Sequence, residues 1–213
     1  MPSIRVGDQD LELLPQKAVY WKQQKILIVS DTHFGKSAHF RSHGIYVPDD
    51  GFINDLNTLK FLFETRKPEK LIVTGDMFHS KYNAACEQFA NFMRQYSSIS
   101  VGLIKGNHDI LKPKEYESLG IEIVDKLELH NILLVHQLKD EEHSSHVLAI
   151  QGHIHPAVRL KGKAKQHASL VCFYISDKVL TMPAFGSFTG NAYIKPKEND
   201  AVYAILANDV ILL

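Results

Sequence analysis

Short apolar runs alternate with polar loops along most of this chain. The strongest is Lys25-Ile26-Leu27-Ile28-Val29-Ser30. A continuous aliphatic run predicts a strand covered on both faces, because a half-exposed strand would alternate apolar and polar positions. Leu71-Ile72-Val73-Thr74, Ile99 to Ile104, Ile132-Leu133-Leu134-Val135 and Val147 to Ile150 read the same way. Helical periodicity separates the first three. Phe52, Leu56, Leu59 and Phe63 fall on one helical face of a segment that Asp49 or Asp50 caps and that runs to about Arg66, where Pro68 closes the connection. A second helix, about Ala84 to Tyr96, turns Ala85, Phe89, Phe92, Met93 and Tyr96 inward. Strand, helix, strand, helix, strand implies parallel pairing through right-handed crossovers.

The flanks are more strand-like. Leu11 to Leu14 and Ala18 to Trp21 form an N-terminal hairpin, and Pro113 to Leu119 is a short helical turn. Ile121–Val124, Leu127–Leu129, Ala157–Leu160, Leu170–Ser176, Val179–Met182 and Val202–Leu213 read as strands, with Asp177-Lys178 as a tight turn. No repeat, low-complexity tract or linker interrupts the chain. The expected architecture is one α/β domain over residues 1–213, two mixed sheets face to face with helices outside, a four-layer α-β-β-α sandwich.

Composition narrows the class. Basic and acidic residues balance at 24 each, so net charge predicts no polyanion partner, although a local basic groove is compatible with it. Two cysteines, Cys86 and Cys172, are too few for a disulfide framework and too far apart for a metal knuckle. They read as buried thiols of a reducing compartment. No signal-peptide core and no apolar run of roughly 18 residues occurs, so the expectation is a soluble, cytoplasmic protein. The unusual count is histidine, with 12 copies.

Those histidines concentrate where the apolar runs stop. Five runs end in Asp31-x-His33, Gly75-Asp76, Gly106-Asn107-His108-Asp109, His136 and Gly152-His153-x-His155. Loops beyond the carboxyl ends of strands converge in α/β folds even when the strands are distant in sequence. Each motif alone has an ordinary reading. His136 suits a structural histidine, Asp31 a turn, Asn107 a left-handed turn position, and Gly152-His153 a hairpin corner. Together they offer two Asp, one Asn and four His, a set suited to Mn, Fe or Zn, and without thiolates it argues against a structural zinc. Seven donors exceed what one such ion takes while keeping an open position. One carboxylate bridging two ions solves the count.

The ordered set D-x-H, G-D, G-N-H-D, H and G-H-x-H resembles the calcineurin-like metallophosphoesterases. The resemblance implies that Asp31, His33 and His155 hold one ion, that Asn107, His136 and His153 hold the other, and that Asp76 bridges. It also implies that His108 faces the scissile phosphate. Two such ions, about 3.5–4 Å apart, lower the pKa of water towards about 7 and clamp an in-line displacement. A bridging hydroxide would attack phosphorus while His108, protonated, donates to the leaving oxygen. Asp109 either orients His108 or braces the loop.

Further segments point to a substrate. Gly75-Asp76-Met77-Phe78-His79 is similar to the G-D-x-F-H of SbcD-type repair nucleases and departs from the G-D-x-x-D-R-G of protein phosphatases. His79 is then a second phosphate or leaving-group contact, or a hydrogen-bonding support. Phe34-Gly35-Lys36, Phe40-Arg41-x-x-Gly44-Ile45-x-Val47-Pro48 and Pro183 to Gly190 resemble the ligase-associated DNA-damage-response endonucleases of bacteria. That resemblance implies manganese-dependent cleavage of single-stranded or branched DNA in the cytoplasm, alongside an ATP-dependent DNA ligase and a helicase. Lys36 and Arg41 are candidates to grip phosphate. Arg159, Lys161, Lys163 and Lys165 alternate, which in a hairpin puts them on one side as a stripe for a phosphate backbone. His39 and His43 share the Arg41 loop, whereas His143 and His146 read as solvated. Two other readings stay open: a small-molecule phosphoesterase (cyclic-nucleotide phosphodiesterase, nucleotide pyrophosphatase or phosphomonoesterase) and a non-catalytic module of a repair complex.

Overall fold

The computed structural model describes residues 1–37, 40, 50–79, 81–139, 146–162 and 167–213. The first sheet has seven strands in chain order: β1 (Ser3–Val6), β2 (Gln9–Leu14), β3 (Ala18–Trp21), β4 (Ile26–Val29), β5 (Lys70–Thr74), β6 (Ser100–Ile104) and β7 (Ile121–Val124). The β1 to β4 pairings are antiparallel, and those from β4 to β7 are parallel. Helix α1 (Asp50–Arg66) connects β4 to β5, α2 (Ala84–Arg94) connects β5 to β6, and α3 (Pro113–Ser118) precedes β7. Asn83 caps α2 through its side chain, which accepts from the Ala85 amide at 2.8 Å.

The second sheet takes β8 (Leu127–Leu129), β9 (Ile132–Leu134), β10 (Leu148–Gln151), β11 (Pro156–Lys161), β12 (His167–Ser176), β13 (Val179–Thr181) and β14 (Ala192–Tyr193) in the order β14-β11-β12-β13-β10-β9-β8. β15 (Ala201–Ile205) adds to β12, and β16 (Val210–Leu212) to β15. β9, β10 and β13 run parallel, so this sheet is also mixed.

The continuous aliphatic runs are explained by two cores. Leu27 and Val29 of β4 point to the helix side, where they meet Leu59, Phe63, Phe89 and Tyr116. Ile26 and Ile28 point to the other sheet and join Ile72, Ile132, Leu134, Leu148, Ile150, Phe173 and Leu180. Burying each such side chain fully is worth about 1.5–3 kcal/mol, so these two cores hold the layers together. The two face-to-face mixed sheets are as the sequence predicts. Helices α1, α2 and α3 all pack on the first sheet. The second sheet's outer face instead carries two small apolar clusters, around Leu133 and Ala149 and around Cys172 and Val202.

Several elements escape the apolar pattern. β1 is a mostly exposed edge strand with only Val6 buried, and β14 is a pair of exposed residues, so neither carries an apolar run. The single strand expected over Val202–Leu213 is a hairpin, closed where the Leu206 amide donates to the Asp209 carbonyl at 2.8 Å. Asp177 and Lys178 both have positive φ, 49° and 65°, the geometry of the expected tight turn. Cys86 and Cys172 are buried free thiols. Among the described residues, no helix is long and apolar enough to cross a membrane.

Candidate metal centre

The loops that follow β4 and β5 stay zipped together beyond the strands. Asp31 N donates to Gly75 O at 3.1 Å, His33 N to Asp76 O at 2.9 Å, and Phe34 N to Met77 O at 2.8 Å. The loop after β10 joins them, with Gly152 N on His136 O at 3.1 Å and His153 N on the Asp31 carboxylate at 2.9 Å. Asp31, His33, Asp76, His153 and His155 all adopt positive φ, between 44° and 68°. For residues other than glycine this conformation costs of order 1–3 kcal/mol each and persists where surrounding structure imposes it. Here the imposition is hydrogen-bonded loops that turn carboxylates and imidazoles inward. Gly152 explains why its motif needs glycine: a Cβ there would run into the Ser30 hydroxyl and the Asp31 carboxylate.

Two clusters result. Asp31, His33 and His155 bring one candidate ligand atom each within 4.8 Å of one another, and so do Asp76, His136 and His153. Each carboxylate uses one oxygen for the protein. Asp31 Oδ2 accepts from the Ser30 hydroxyl and the His153 amide, and Asp76 Oδ1 accepts from the His108 amide at 2.8 Å. The other oxygen of each faces imidazoles. Asp31 Oδ1 lies 3.1 Å from His155 Nε2. Asp76 Oδ2 lies 3.5 Å from His136 Nε2 and 3.9 Å from His33 Nε2, between the two clusters. Exposed Asn107 extends the second cluster, with Oδ1 3.0 Å from His136 Nε2.

Hydrogen bonds behind the rings identify the nitrogens that face the cluster. His136 Nδ1 lies 3.0 Å from Thr74 O, and His155 Nδ1 lies 3.0 Å from Gly190 O. A carbonyl only accepts, so each Nδ1 carries a proton and each Nε2 is the ring nitrogen turned to the cluster. His155 Nε2 faces Asp31 Oδ1 at 3.1 Å; burial disfavours the charged imidazole, but the Asp31 carboxylate outweighs it and raises its affinity for a proton, so this contact is one that a proton or a metal cation fills. The oxygen and nitrogen donors, without thiolate, suit a divalent ion of the Mn, Fe or Zn type, and a cation between them would satisfy both atoms. The residues therefore fit a pair of divalent ions.

The electrostatics agree. Burial pushes the Asp31 carboxyl up, but His155 and Ser30 outweigh it and hold it below the ordinary carboxylate range. Burial, reinforced by the nearby Lys36 ammonium, pushes the His33 imidazole down to about 3. Burial and His136 likewise depress His153. His33 and His153 are thus neutral at pH 7, the form a ligating imidazole takes.

The other expected residues are distributed less evenly. His108 is exposed, its ring 5.5 Å from that of His33 and stacked 5.9 Å from that of His79. Asp109 is buried. Its Oδ2 accepts from the Asp76 and Gly106 amides, both at 2.8 Å, and its Oδ1 from the Met77 amide at 2.9 Å. Of the two expectations for Asp109, orienting His108 or bracing the loop, these bonds are those of a brace. Lys36 is half-buried, and burial lowers its ammonium against the pull of Asp76. Arg159 is exposed and lies over the Tyr193 ring at 3.8 Å. Lys161 follows it in register, opposite His167 as Arg159 is opposite Ser169, and the described residues do not extend to its side chain. Arg41, Lys163, Lys165, His39, His43 and His143 lie outside the described residues. The side chain of His146 is only 10% exposed and sits 3.4 Å from Glu128, not solvated as expected.

Sequence reasoning missed two supports. Ser30 is the last residue of an apolar run and carries no signal of its own. Asp55 sits three positions after Phe52, on the apolar side of α1, and is buried. A carboxylate at such a position is a signal for a fixed partner. It accepts the Ser187 amide at 3.1 Å and the Ser187 hydroxyl at 2.5 Å.

Two mixed sheets face to face, with paired carboxylate–imidazole clusters beyond their strand ends, are the architecture of a metal-dependent hydrolase. The chain belongs to the calcineurin-like phosphoesterase family, whose model matches residues 24–183. It is similar over its whole length to the crystal structure of Pseudomonas putida nuclease MPE, at 32% identity and a TM-score of 0.82, covering 100% of this chain and 99% of that one. It also resembles the Escherichia coli phosphoesterase Yfce at 14% identity and a TM-score of 0.47, covering 87% and 96% of the two chains. AQ665 of Aquifex aeolicus, of unknown function, matches at 23% identity and a TM-score of 0.43, covering 61% and 78%. Neither of these last two bears on the activity. No curated protein matches the chain.

Proposed function

We propose that this protein is a two-metal phosphodiesterase that cuts nucleic acid, with single-stranded or branched DNA in repair as its substrate. The observation that carries the reading is Asp76 Oδ2, which stands between an imidazole of each cluster. Full-length likeness to a nuclease supports nucleic acid as the substrate class. Asp31, His33 and His155 would hold one ion, Asn107, His136 and His153 the other, and Asp76 both. Manganese is the proposed metal, with iron or zinc as alternatives. The bound ions supply Lewis acidity and a water of lowered pKa for in-line attack at phosphorus.

The chain's own groups do the rest. His108, on the exposed side and tethered to Asp76 by its amide, holds the proton for the leaving oxygen. His79 packs its ring against His108 and limits how that imidazole tilts. Asp109 ties the Gly106 turn to the Asp76 loop, so His108 and Asp76 keep their relative positions. Lys36 and Arg159 are proposed to meet phosphates beyond the scissile one, with Arg41, Lys161 and Lys163 as further candidates. An ATP-dependent DNA ligase and a helicase are the proposed partners.

A second reading, a small-nucleotide phosphodiesterase, is favoured by one feature. An open cleft of about 390 Å³ beside Lys36 has the size of a small-molecule site. Circular single-stranded DNA with Mn²⁺ separates the readings, using Asp76→Asn as the inactive control. Cutting of the circle supports the endonuclease. An intact circle together with rapid hydrolysis of a cyclic or dinucleotide ester would replace it with the small-molecule enzyme.

A further inference from the structure

A row of rings leads from the metal centre to an open cleft. His108 stacks on His79 with 26° between planes, and His79 stacks on Phe40 at 21° and 6.3 Å. Phe40 leans on Phe188 at 6.4 Å. Phe40 and Phe188, with Lys36, Ser187, Thr189 and Gly190, line the cleft.

The Phe188 side of this cleft is preordered and tied to the site. Phe185 N donates to Ser30 O at 2.7 Å, and Gly186 N to Asp31 O at 3.3 Å. The Ser187 amide and hydroxyl are held by buried Asp55. Gly190 O takes the His155 Nδ1 proton, and Ala192 N donates to His155 O at 2.9 Å. Phe188 nevertheless leaves 39% of its surface in water. Burial does not account for a phenyl ring held open on a segment fixed at both ends to metal-centre residues. A flat apolar face that is already ordered costs little entropy when a ligand stacks on it. A base–aromatic stack needs such a face, and it needs the base unpaired and its phosphate near a cation. Lys36 supplies the cation within the same cleft.

We infer that this cleft stacks an unpaired nucleobase adjacent to the scissile phosphate, with Phe188 as the principal surface and Phe40 flanking it. The inference deepens the nuclease reading and rests on it. Its consequence is selectivity: base-bearing single strands are preferred over a sugar–phosphate chain without bases, and Watson–Crick-paired positions are excluded from the cleft.

The test compares an oligothymidylate with an abasic strand of the same length. Fluorescence anisotropy gives binding, and Mn²⁺-loaded protein gives cleavage. Wild type should bind the base-bearing strand about tenfold or more tightly than the abasic one. Phe188→Ala should bring that ratio close to unity, Phe188→Trp should keep it, and thermal melting checks that each variant folds. A wild-type ratio near one, or a ratio unchanged in Phe188→Ala, overturns the stacking site. The nuclease reading fails separately, if wild type discriminates in binding yet cuts neither strand. Equal cutting of both strands with no binding preference sinks the stacking site and leaves the nuclease standing.

Discussion

Asp31 Oδ1 and His155 Nε2 stand 3.1 Å apart, contributed by the first and last of the five strand-end motifs. The His155 ring donates from Nδ1 to the Gly190 carbonyl, so Nε2 is the atom turned to the Asp31 carboxylate inside the protein. A proton or a metal cation can join such a pair, and the two compete for it; in the proposed two-metal enzyme the metal takes that place.

Removing either partner should therefore remove metal. Asp31→Asn and His155→Ala are each expected to lower bound Mn²⁺ by about one ion per chain, since a lost ligand leaves the remaining donors weakly held. Asp76→Asn should cost both ions. Inductively coupled plasma mass spectrometry of the purified proteins checks this. Full metal content in Asp76→Asn would show that this carboxylate is not shared.

His108 predicts the opposite pattern. His108→Ala is expected to keep both ions and to lose about 10²–10⁴-fold in kcat, the usual worth of a general acid. The loss should shrink for an ester whose leaving group needs no proton, such as a nitrophenyl diester. An equal loss on both esters would assign His108 to phosphate binding rather than proton donation.

Asp109 is a stability prediction. Asp109→Ala strands the amides of Asp76, Met77 and Gly106, each buried and each worth about 1–3 kcal/mol when left unpaired. Partial relaxation makes a total loss of about 3–5 kcal/mol the expected outcome, measured by urea unfolding of metal-free protein. Destabilisation under about 1 kcal/mol would mean the loops hold without this brace.

Asp55 predicts a pH dependence. Burial pushes its carboxyl up to about 6 although Ser187 donates to it. The folded state thus binds this proton more tightly than the unfolded chain, whose value is near 3.8. The stabilisation is fully present below the unfolded value and is lost as pH rises through about 6, by about 2–3 kcal/mol at most. Melting of metal-free wild type and Asp55→Asn across that window isolates the effect, because the Asn variant lacks the titration. Parallel pH profiles for the two proteins would contradict it.

Much of the fold was legible in advance because burial on two faces leaves a continuous aliphatic record. Ile26 to Val29 fits a covered strand, and Phe52, Leu56, Leu59 and Phe63 fit a helix face. β1 and β14 left no such record, since exposed edge strands are held by backbone pairing that any side chain permits. The candidate ligands were legible for a related reason. Few uses other than metal binding call for Asp, Asn and His repeatedly where apolar strands end. Asp55 and Ser30 were not, because a single polar residue gains meaning only from the partner it meets.

The sequence by itself determined the order of the buried strands and of the helices between them, the chemical kind of donor at each strand end, and the exclusion of thiolate chemistry. Only the tertiary structure decided which oxygen of Asp31 and Asp76 faces the imidazoles, that Asp109 braces loops, and that Phe188 stands open beside the site. The reason is range. Periodicity and residue chemistry act over neighbouring positions, whereas a carboxylate's direction depends on amides from loops far along the chain, which meet it only after both sheets have packed.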